Sequence, residues 1–205
     1  MNQARLPTAR VNAEFILRVL ADEHRQQAQV DPEAEPYPVL SLSSTVADWR
    51  NACDLVGWRK LGRALNTHWG INATEAEWQA VLEPARQRSL LEVCQFLANR
   101  VQLPQLAPRG YFGTACIAAG AFLGIRSMLA AQGIDTSRVR PSAELAPYAL
   151  LVPLAFVTFA ARTAPGRLPA MRIETSFWGR RRRVSFGALK TFRDYAECLS
   201  GGVGR

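Results

Sequence analysis

The chain has few of the residues on which metal centres and general-base enzymes rely. Its 205 residues include two histidines, His24 and His68. The four cysteines are widely separated, at Cys53, Cys94, Cys116 and Cys198. They form no CxxC pair, which excludes the usual spacing of zinc sites and redox motifs. The sequence therefore predicts no metal site, and it predicts free, buried thiols in a reducing cytoplasm.

Catalytic motifs are also missing. The sequence contains no glycine-rich phosphate loop, no pair of catalytic carboxylates and no serine elbow. A nucleophile pair of Cys53 and His68 is disfavoured, because on one predicted helix the two residues stand more than ~20 Å apart. We therefore expect no catalytic residues, and a protein that is not an enzyme.

The sequence lacks an apolar run of bilayer length. Its N-terminus, MNQARLPTAR, has no apolar stretch typical of a secretory signal. Residues 111–125 and 145–161 are strongly apolar, but each is shorter than the roughly 20 residues that span a bilayer. They favour buried core helices, and the alternative is a membrane hairpin or peripheral association with a membrane. The expected location is the cytoplasm, with peripheral membrane association as the alternative.

Positive charge is concentrated in the second half of the chain. The formal net charge is +8, and residues 1–110 contain 12 basic and 12 acidic residues, whereas residues 111–205 contain 13 and 5. Such an asymmetry indicates an acidic protein partner, a nucleic acid or a membrane surface.

The densest group of basic residues lies beside aromatic residues and predicts an anion-binding segment. It consists of Arg180, Arg181, Arg182 and Arg183. An acidic protein partner or an anionic membrane surface fits these charges, and the alternative is a solvated loop without a partner. Nucleic acid is disfavoured, because no recognised nucleic-acid-binding motif surrounds the cluster.

Apolar periodicity predicts a mainly helical chain. The predicted helices are 11–24, 50–69, 74–81, 89–98, 114–132, 145–161 and 185–200. Two capping boxes, Thr74-x-x-Glu77 and Ser89-x-x-Glu92, mark helix starts, and residues 163–184 are expected to be irregular. Two prolines and a glycine in 102–110 indicate a linker. The predicted domains are therefore a helical unit 1–101, a linker 102–112 and a basic helical unit 113–205.

Residues 11–101 contain short motifs at characteristic positions of the predicted helices. Asp54-Leu55-Val56 stands at the expected start of one helix, and Trp69-Gly70-Ile71 follows its end. A short helix at 74–81 and a last helix at 89–98 complete the pattern. This arrangement resembles the acyl carrier protein family, which implies an all-α helical bundle. That family attaches its prosthetic arm to a serine, and the matching position here is Leu55. The resemblance therefore implies that no 4'-phosphopantetheine is attached and that no cofactor is present.

The second half resembles the first in part. Residues 122–145 are similar to a carrier's first helix and turn, and the predicted helix at Ser185 corresponds to the one at Ser89. The serine position of this second unit falls at about Leu150. Two tandem carrier-like units are one interpretation, and the other is a single helical domain with only generic periodicity in common.

These features favour a non-enzymatic module for protein–protein interaction or regulation. Its partner-binding face is expected on the second carrier helix, where basic residues predict an acidic partner; the face comprises Asp54, Arg59, Lys60 and Arg63. The alternative function is binding of a lipid or small apolar ligand. Four tryptophans would then line an apolar groove, or else they pack the core; they are Trp49, Trp58, Trp69 and Trp78.

Overall fold

The computed structural model of the chain describes residues 8–29, 33, 35, 38–111, 114–175 and 182–201. These residues form nine helices and three two-stranded sheets. The structure is mostly helical, as predicted, but the prediction of an all-α fold is wrong in excluding strands.

The chain divides into two compact units. The N-terminal unit is Ala9–Leu103, and the C-terminal unit is Pro104–Arg205 together with Met1–Thr8. Strands β1 (Thr8–Ala9) and β2 (Leu103–Pro104) pair with each other at these boundaries. The predicted linker 102–112 therefore contains regular structure.

The N-terminal unit contains five helices. They are α1 (Ala13–Gln27), α2 (Val46–Ala52), α3 (Trp58–Trp69), α4 (Glu75–Leu82) and α5 (Leu90–Ala98). Helices α1 and α5 pack together and contribute fully buried side chains to the core, including Ile16, Val19, Leu90, Val93 and Leu97.

Capping boxes open three of these helices. Thr74 with Glu77 caps α4, and Ser89 with Glu92 caps α5, so both predicted boxes are confirmed. A third box, Thr45 with Asp48, caps α2. In each box the hydroxyl accepts a backbone N–H while the carboxylate accepts the N–H of the cap residue, which fixes where the helix begins.

The predicted helix 50–69 is interrupted. It is replaced by α2 and α3, with a turn at 53–57 between them. Asp54 adopts a left-handed backbone with φ 44°, which aspartate tolerates better than most residues. Helix α3 then begins after Gly57 and ends at Gly70, whose φ of 65° stops it. Asp54 and its neighbours therefore precede the helix that they were expected to open.

The C-terminal unit combines helices with two hairpins. Its helices are α6 (Ile117–Ala131), α7 (Ala146–Leu151), α8 (Pro153–Thr163) and α9 (Phe192–Ser200). Its antiparallel hairpins are β3 (Arg109–Tyr111) with β4 (Thr114–Cys116), and β5 (Arg172–Thr175) with β6 (Arg182–Ser185).

Three predictions for this unit are corrected. The apolar segment 145–161 is two helices, because Pro153 lacks the N–H that would continue α7. The segment expected to be irregular contains β5 and part of β6. The last helix begins at Phe192, because Ser185 pairs with Arg172 in the β5–β6 hairpin instead of capping a helix.

Aromatic side chains form the centre of the C-terminal core. Phe156, Phe186, Phe192 and Tyr195 are all fully buried or nearly so. The Tyr195 hydroxyl donates to the Phe156 carbonyl oxygen at 2.6 Å, which satisfies its buried polar atom.

In the N-terminal unit, residues around the start of α2 are hydrogen-bonded to residues around the start of α5. Thr45 and Ser89 form an antiparallel β-bridge between the two helix caps. The flanking bonds run from Val46 N–H to Arg88 O (2.8 Å), from Leu90 N–H to Ser44 O (2.8 Å) and from Leu91 N–H to Leu42 O (2.9 Å). We call this set of bonds the cap bridge.

The C-terminal unit has a cap bridge of the same pattern. Glu144 pairs with Thr191, the N-cap of α9. The flanking bonds run from Leu145 N–H to Lys190 O (2.9 Å), from Phe192 N–H to Ala143 O (3.2 Å) and from Arg193 N–H to Pro141 O (2.8 Å). In this pattern Thr191 takes the place that Ser89 has in the N-terminal unit, whereas Ser185, which was expected to correspond to Ser89, lies in β6.

Replacing Thr191 with alanine tests the start of α9. The Thr191 hydroxyl accepts the Asp194 N–H at 3.2 Å, and losing an N-cap of this kind costs about 1 kcal/mol. We expect T191A to lower the free energy of unfolding in urea by about that amount. The control S185A removes the hydroxyl of the residue expected to be the cap, and it should change stability by less than about 0.5 kcal/mol. An S185A variant destabilised as much as T191A would contradict the assignment.

The capping carboxylate of α4 predicts a dependence on pH. The Thr74 N–H, the Arg100 guanidinium and the Thr74 hydroxyl, in that order, lower the pKa of Glu77 from its ordinary 4.5 to about 2. A lowered carboxyl pKa stabilises the fold above pH 4.5, and that stabilisation is lost as the pH falls toward 2. We expect E77Q to melt below the parent protein at pH 7, with the difference shrinking between pH 4.5 and 2. A difference in melting temperature that stays constant over this range would refute the linkage.

Candidate functional site

The expected partner-binding residues all lie on the surface, in the turn before α3 and on the first two turns of that helix. Asp54, Arg59, Lys60 and Arg63 are exposed. Arg59 and Arg63 are one helical turn apart and therefore share a face of α3, with Lys60 beside them. We call these four residues the α3 surface.

A single carboxylate on α4 contacts two of these cations. Arg63 Nη2 lies 2.5 Å from Glu75 Oε1, and Arg59 Nε lies 3.9 Å from Glu75 Oε2. All three side chains are more than half exposed, so each ion pair contributes only about 0–1 kcal/mol. The pairs hold the arginines side by side without removing them from solvent, and the positive charge of the surface persists.

A shallow depression adjoins the α3 surface. It has a volume of about 340 Å³ and is lined by Val56, Gly57, Trp58, Arg59 and Lys60. Val56 is 49% exposed, and the Arg59 guanidinium lies 4.5 Å from the centre of the Trp58 ring. Stacking of this kind orients the guanidinium while leaving its N–H groups available to an acceptor. The depression therefore offers an apolar contact beside two cationic groups.

The position that would carry a prosthetic arm lies in the turn before α3. Leu55 is half-buried, and its N–H donates to the Arg50 carbonyl at 2.8 Å. Its side chain contains no hydroxyl to form a phosphodiester. The residue that the resemblance aligned with the carrier serine is therefore an apolar residue in a turn.

The four tryptophans do not gather around an open groove in the described residues. Trp49, Trp69 and Trp78 are buried in the core, and only Trp58 lines the surface depression. Trp78 Nε1 donates to Asn66 Oδ1 at 3.0 Å, and its ring centre lies 4.7 Å from that of Phe96. These contacts support the core-packing interpretation over the apolar groove.

The histidines make structural contacts. His68 Nε2 lies 2.9 Å from Glu23 Oε2, and His24 Nε2 lies 2.6 Å from the Glu35 carbonyl oxygen. Both rings are therefore engaged by partners within the N-terminal unit.

Two cysteines of the N-terminal unit have thiols of low reactivity. Burial, with a smaller contribution from the charge of Glu35, raises the pKa of Cys53 to about 11. Burial, together with Glu14, raises the pKa of Cys94 to about 12. At neutral pH both are protonated thiols, which are poor nucleophiles.

Half of the predicted arginine cluster lies outside the described residues. Arg180 and Arg181 lie outside the described residues. Arg182 and Arg183 are in β6, where they pair with Thr175 and Glu174, and their side chains are not described. The anion-binding role of this cluster stays a prediction.

A larger surface groove lies between α6 and α9 and was not anticipated from the sequence. Its volume is about 620 Å³, and its walls include Phe122 and Leu123 of α6. Arg126 and Arg193 are also at the groove, one on each helix. The signal was present in the sequence, because Arg126 is the one charged residue in the apolar segment that became α6.

The described residues contain neither a metal-binding cluster nor a membrane-spanning helix. No group of three or more His, Cys, Asp or Glu side chains in the described part of the chain is placed to hold a metal ion. No helix among the same residues is both long and apolar enough to cross a membrane.

Comparisons with protein-family models, curated proteins and solved structures found no significant match to the chain. A functional assignment therefore depends on the residues and geometry described above.

Proposed function

We propose that the chain is a non-enzymatic interaction module built from two carrier-like helical units without a prosthetic group. An acidic protein partner binds its α3 surface. The order of helices in the N-terminal unit supports the carrier-like layout, because a long α1 is followed by a short α2, a longer α3, a short α4 and a final α5.

The two cap bridges support duplication of this layout. In each unit, the residues leading into the second helix bond to the residues that open the last helix. The last helix of each unit also packs on the first, α5 on α1 and α9 on α6. Generic periodicity does not require the same set of backbone bonds in both units, so we favour two tandem units over a single domain.

The absence of a suitable hydroxyl supports a role without a prosthetic group. Leu55 occupies the attachment position of the first unit, and the corresponding position of the second unit falls near Leu150 in α7. A thioester-carrying role needs the serine oxygen that joins the arm, so these units are left with recognition by surface contacts.

The charge of the α3 surface carries the proposal of an acidic partner. Three cations, Arg59, Lys60 and Arg63, face solvent, and Glu75 is the one carboxylate that contacts them among the described residues. Each arginine retains N–H groups for a second acceptor. A partner with clustered carboxylates gains steering and orientation from such a surface.

Charge reversal on α3 tests this proposal. The triple variant R59E/K60E/R63E should reduce capture of the acidic partner from native, nuclease-treated lysate by about tenfold or more, because attraction becomes repulsion. The measurement is quantitative mass spectrometry of proteins held by the tagged chain. The matched control is R86E, an exposed arginine in the turn between α4 and α5 of the same unit.

Two outcomes would reject the α3 surface. One is equal capture by the triple variant, and the other is an equal loss with R86E. Because Glu75 would repel the new glutamates, K60E alone is included as a variant that leaves both ion pairs of Glu75 intact. Circular dichroism of each variant verifies that the helices are retained.

A second candidate function has its own observation in the C-terminal unit. Three leucines at the junction of α7 and α8 are exposed: Leu150 by 44%, Leu151 by 68% and Leu154 by 63%. Apolar side chains clustered on a surface are typical of protein or membrane contact sites. Together with the excess positive charge of residues 111–205, they support lipid binding with peripheral membrane association.

Vesicle sedimentation tests this alternative. We expect the parent protein to sediment with vesicles containing phosphatidylglycerol and less with pure phosphatidylcholine. The variant L151D/L154D should lose at least about half of the bound fraction, because charged groups resist burial among acyl chains. V39D changes a 96%-exposed valine of the N-terminal unit and should bind normally. A parent protein that stays in the supernatant would eliminate membrane association.

A further inference from the structure

We infer that the groove between α6 and α9 is a binding site for a small organic monocarboxylate with an apolar body. This site is separate from the α3 surface and from the exposed leucines of α7 and α8. It lies entirely within residues of the C-terminal unit, so its test does not depend on the proposed adaptor function.

The walls of the groove come from one face of each helix. On α6, Ala119, Phe122, Leu123 and Arg126 recur at spacings of three and four residues and therefore share a face. On α9, Arg193 and Glu197 stand one turn apart beside the same space. Most of the lining surface is apolar, and the ionic groups are few.

Arg126 gives the first specific sign of a ligand. Its Nε atom is buried and has no hydrogen-bond partner among the described residues. A buried donor without an acceptor is costly, and native folds rarely keep one without a reason. Arg126 lines the groove, where an anion can accept hydrogen bonds from its guanidinium group and compensate its charge. Within the described residues Arg126 also forms no ion pair, so its charge is available to the anion.

The charges of the groove select the ligand's head group. Two guanidinium groups, Arg126 and Arg193, and one carboxylate, Glu197, line it, which leaves a net charge of about +1. A single carboxylate neutralises this excess and matches the forked N–H groups of arginine. A free inorganic anion would leave the apolar walls uncovered, and an uncharged lipid would leave Arg126 without an acceptor.

The volume of the groove fits a small molecule. About 620 Å³ falls within the roughly 300–1,000 Å³ typical of sites for small ligands. Phe122 and Leu123 supply the apolar wall, and Phe122 is held in place by an edge-to-face contact with Phe192, with ring centres 6.4 Å apart. The ligand's body is therefore expected to lie along α6, with its carboxylate near Arg126.

Titration calorimetry with three probes separates the contributions of head and body. Decanoate, below its micelle concentration, should bind the full chain. Decanol has the body without the charge, acetate has the charge without the body, and each should bind at least about tenfold more weakly. Equal binding of decanol, or no binding of decanoate at millimolar concentration, would overturn the inference.

Substitution of Arg126 tests whether decanoate binds in the groove. R126Q should weaken decanoate binding by about tenfold or more, since it removes a charge-assisted hydrogen bond. The matched control R138Q removes an exposed arginine elsewhere in the same unit and should leave the affinity unchanged. L123E, at the apolar wall, should weaken decanoate as well. Unchanged affinity in R126Q would refute the site.

Cys116 provides an independent readout because it lines one end of the groove and is exposed. Decanoate should slow the alkylation of Cys116 by iodoacetamide, followed by peptide mass spectrometry, and acetate should not. The same protection in R126Q as in the parent would show that decanoate covers Cys116 without using the groove's charge, which would also count against the proposal.

Discussion

The cap bridge is the constraint on which each unit depends. Long connections separate the first and second helices of the two units, and backbone groups in such connections become ordered only where they find partners. The bridge supplies those partners by joining the residues before α2 to the start of α5, and those before α7 to the start of α9. Because the bonded residues include the N-caps of the last helices, the bridge also fixes where α5 and α9 begin.

The sequence predicted best what short-range chemistry determines. The boxes at Thr74 and Ser89 join residues three positions apart, so they were visible in the chain and are present in the structure. The boxes at Thr45 and Thr191 use aspartate in place of glutamate and were not predicted. The break near Asp54 was missed because apolar spacing continues across the turn, and a left-handed residue leaves no trace in periodicity. The hairpin β5–β6 depends on pairing that periodicity does not reveal.

The candidate sites were predictable to very different degrees. The α3 surface consists of neighbours on one helix, so its exposed cations could be identified before the fold was known, whereas their contact with Glu75 of α4 could not. The α6–α9 groove joins Arg126 to Arg193, which are distant in sequence and meet only through tertiary packing. The tryptophans left both a groove and a packed core open as interpretations, because their spacing is the same for a core and a ligand site, and burial alone separates the two.

The arginines of the α3 surface and of the α6–α9 groove differ in their surroundings. On α3, Glu75 restrains Arg59 and Arg63 in solvent, where water screens the pairs and a large partner can approach. In the α6–α9 groove, the Nε of Arg126 is withdrawn from solvent and lacks an acceptor among the described residues. Electrostatic interactions strengthen as water is excluded, so a single anion in the groove would gain more per contact than one on α3. We therefore propose that arginines serve a macromolecular surface in one unit and a small-ligand site in the other.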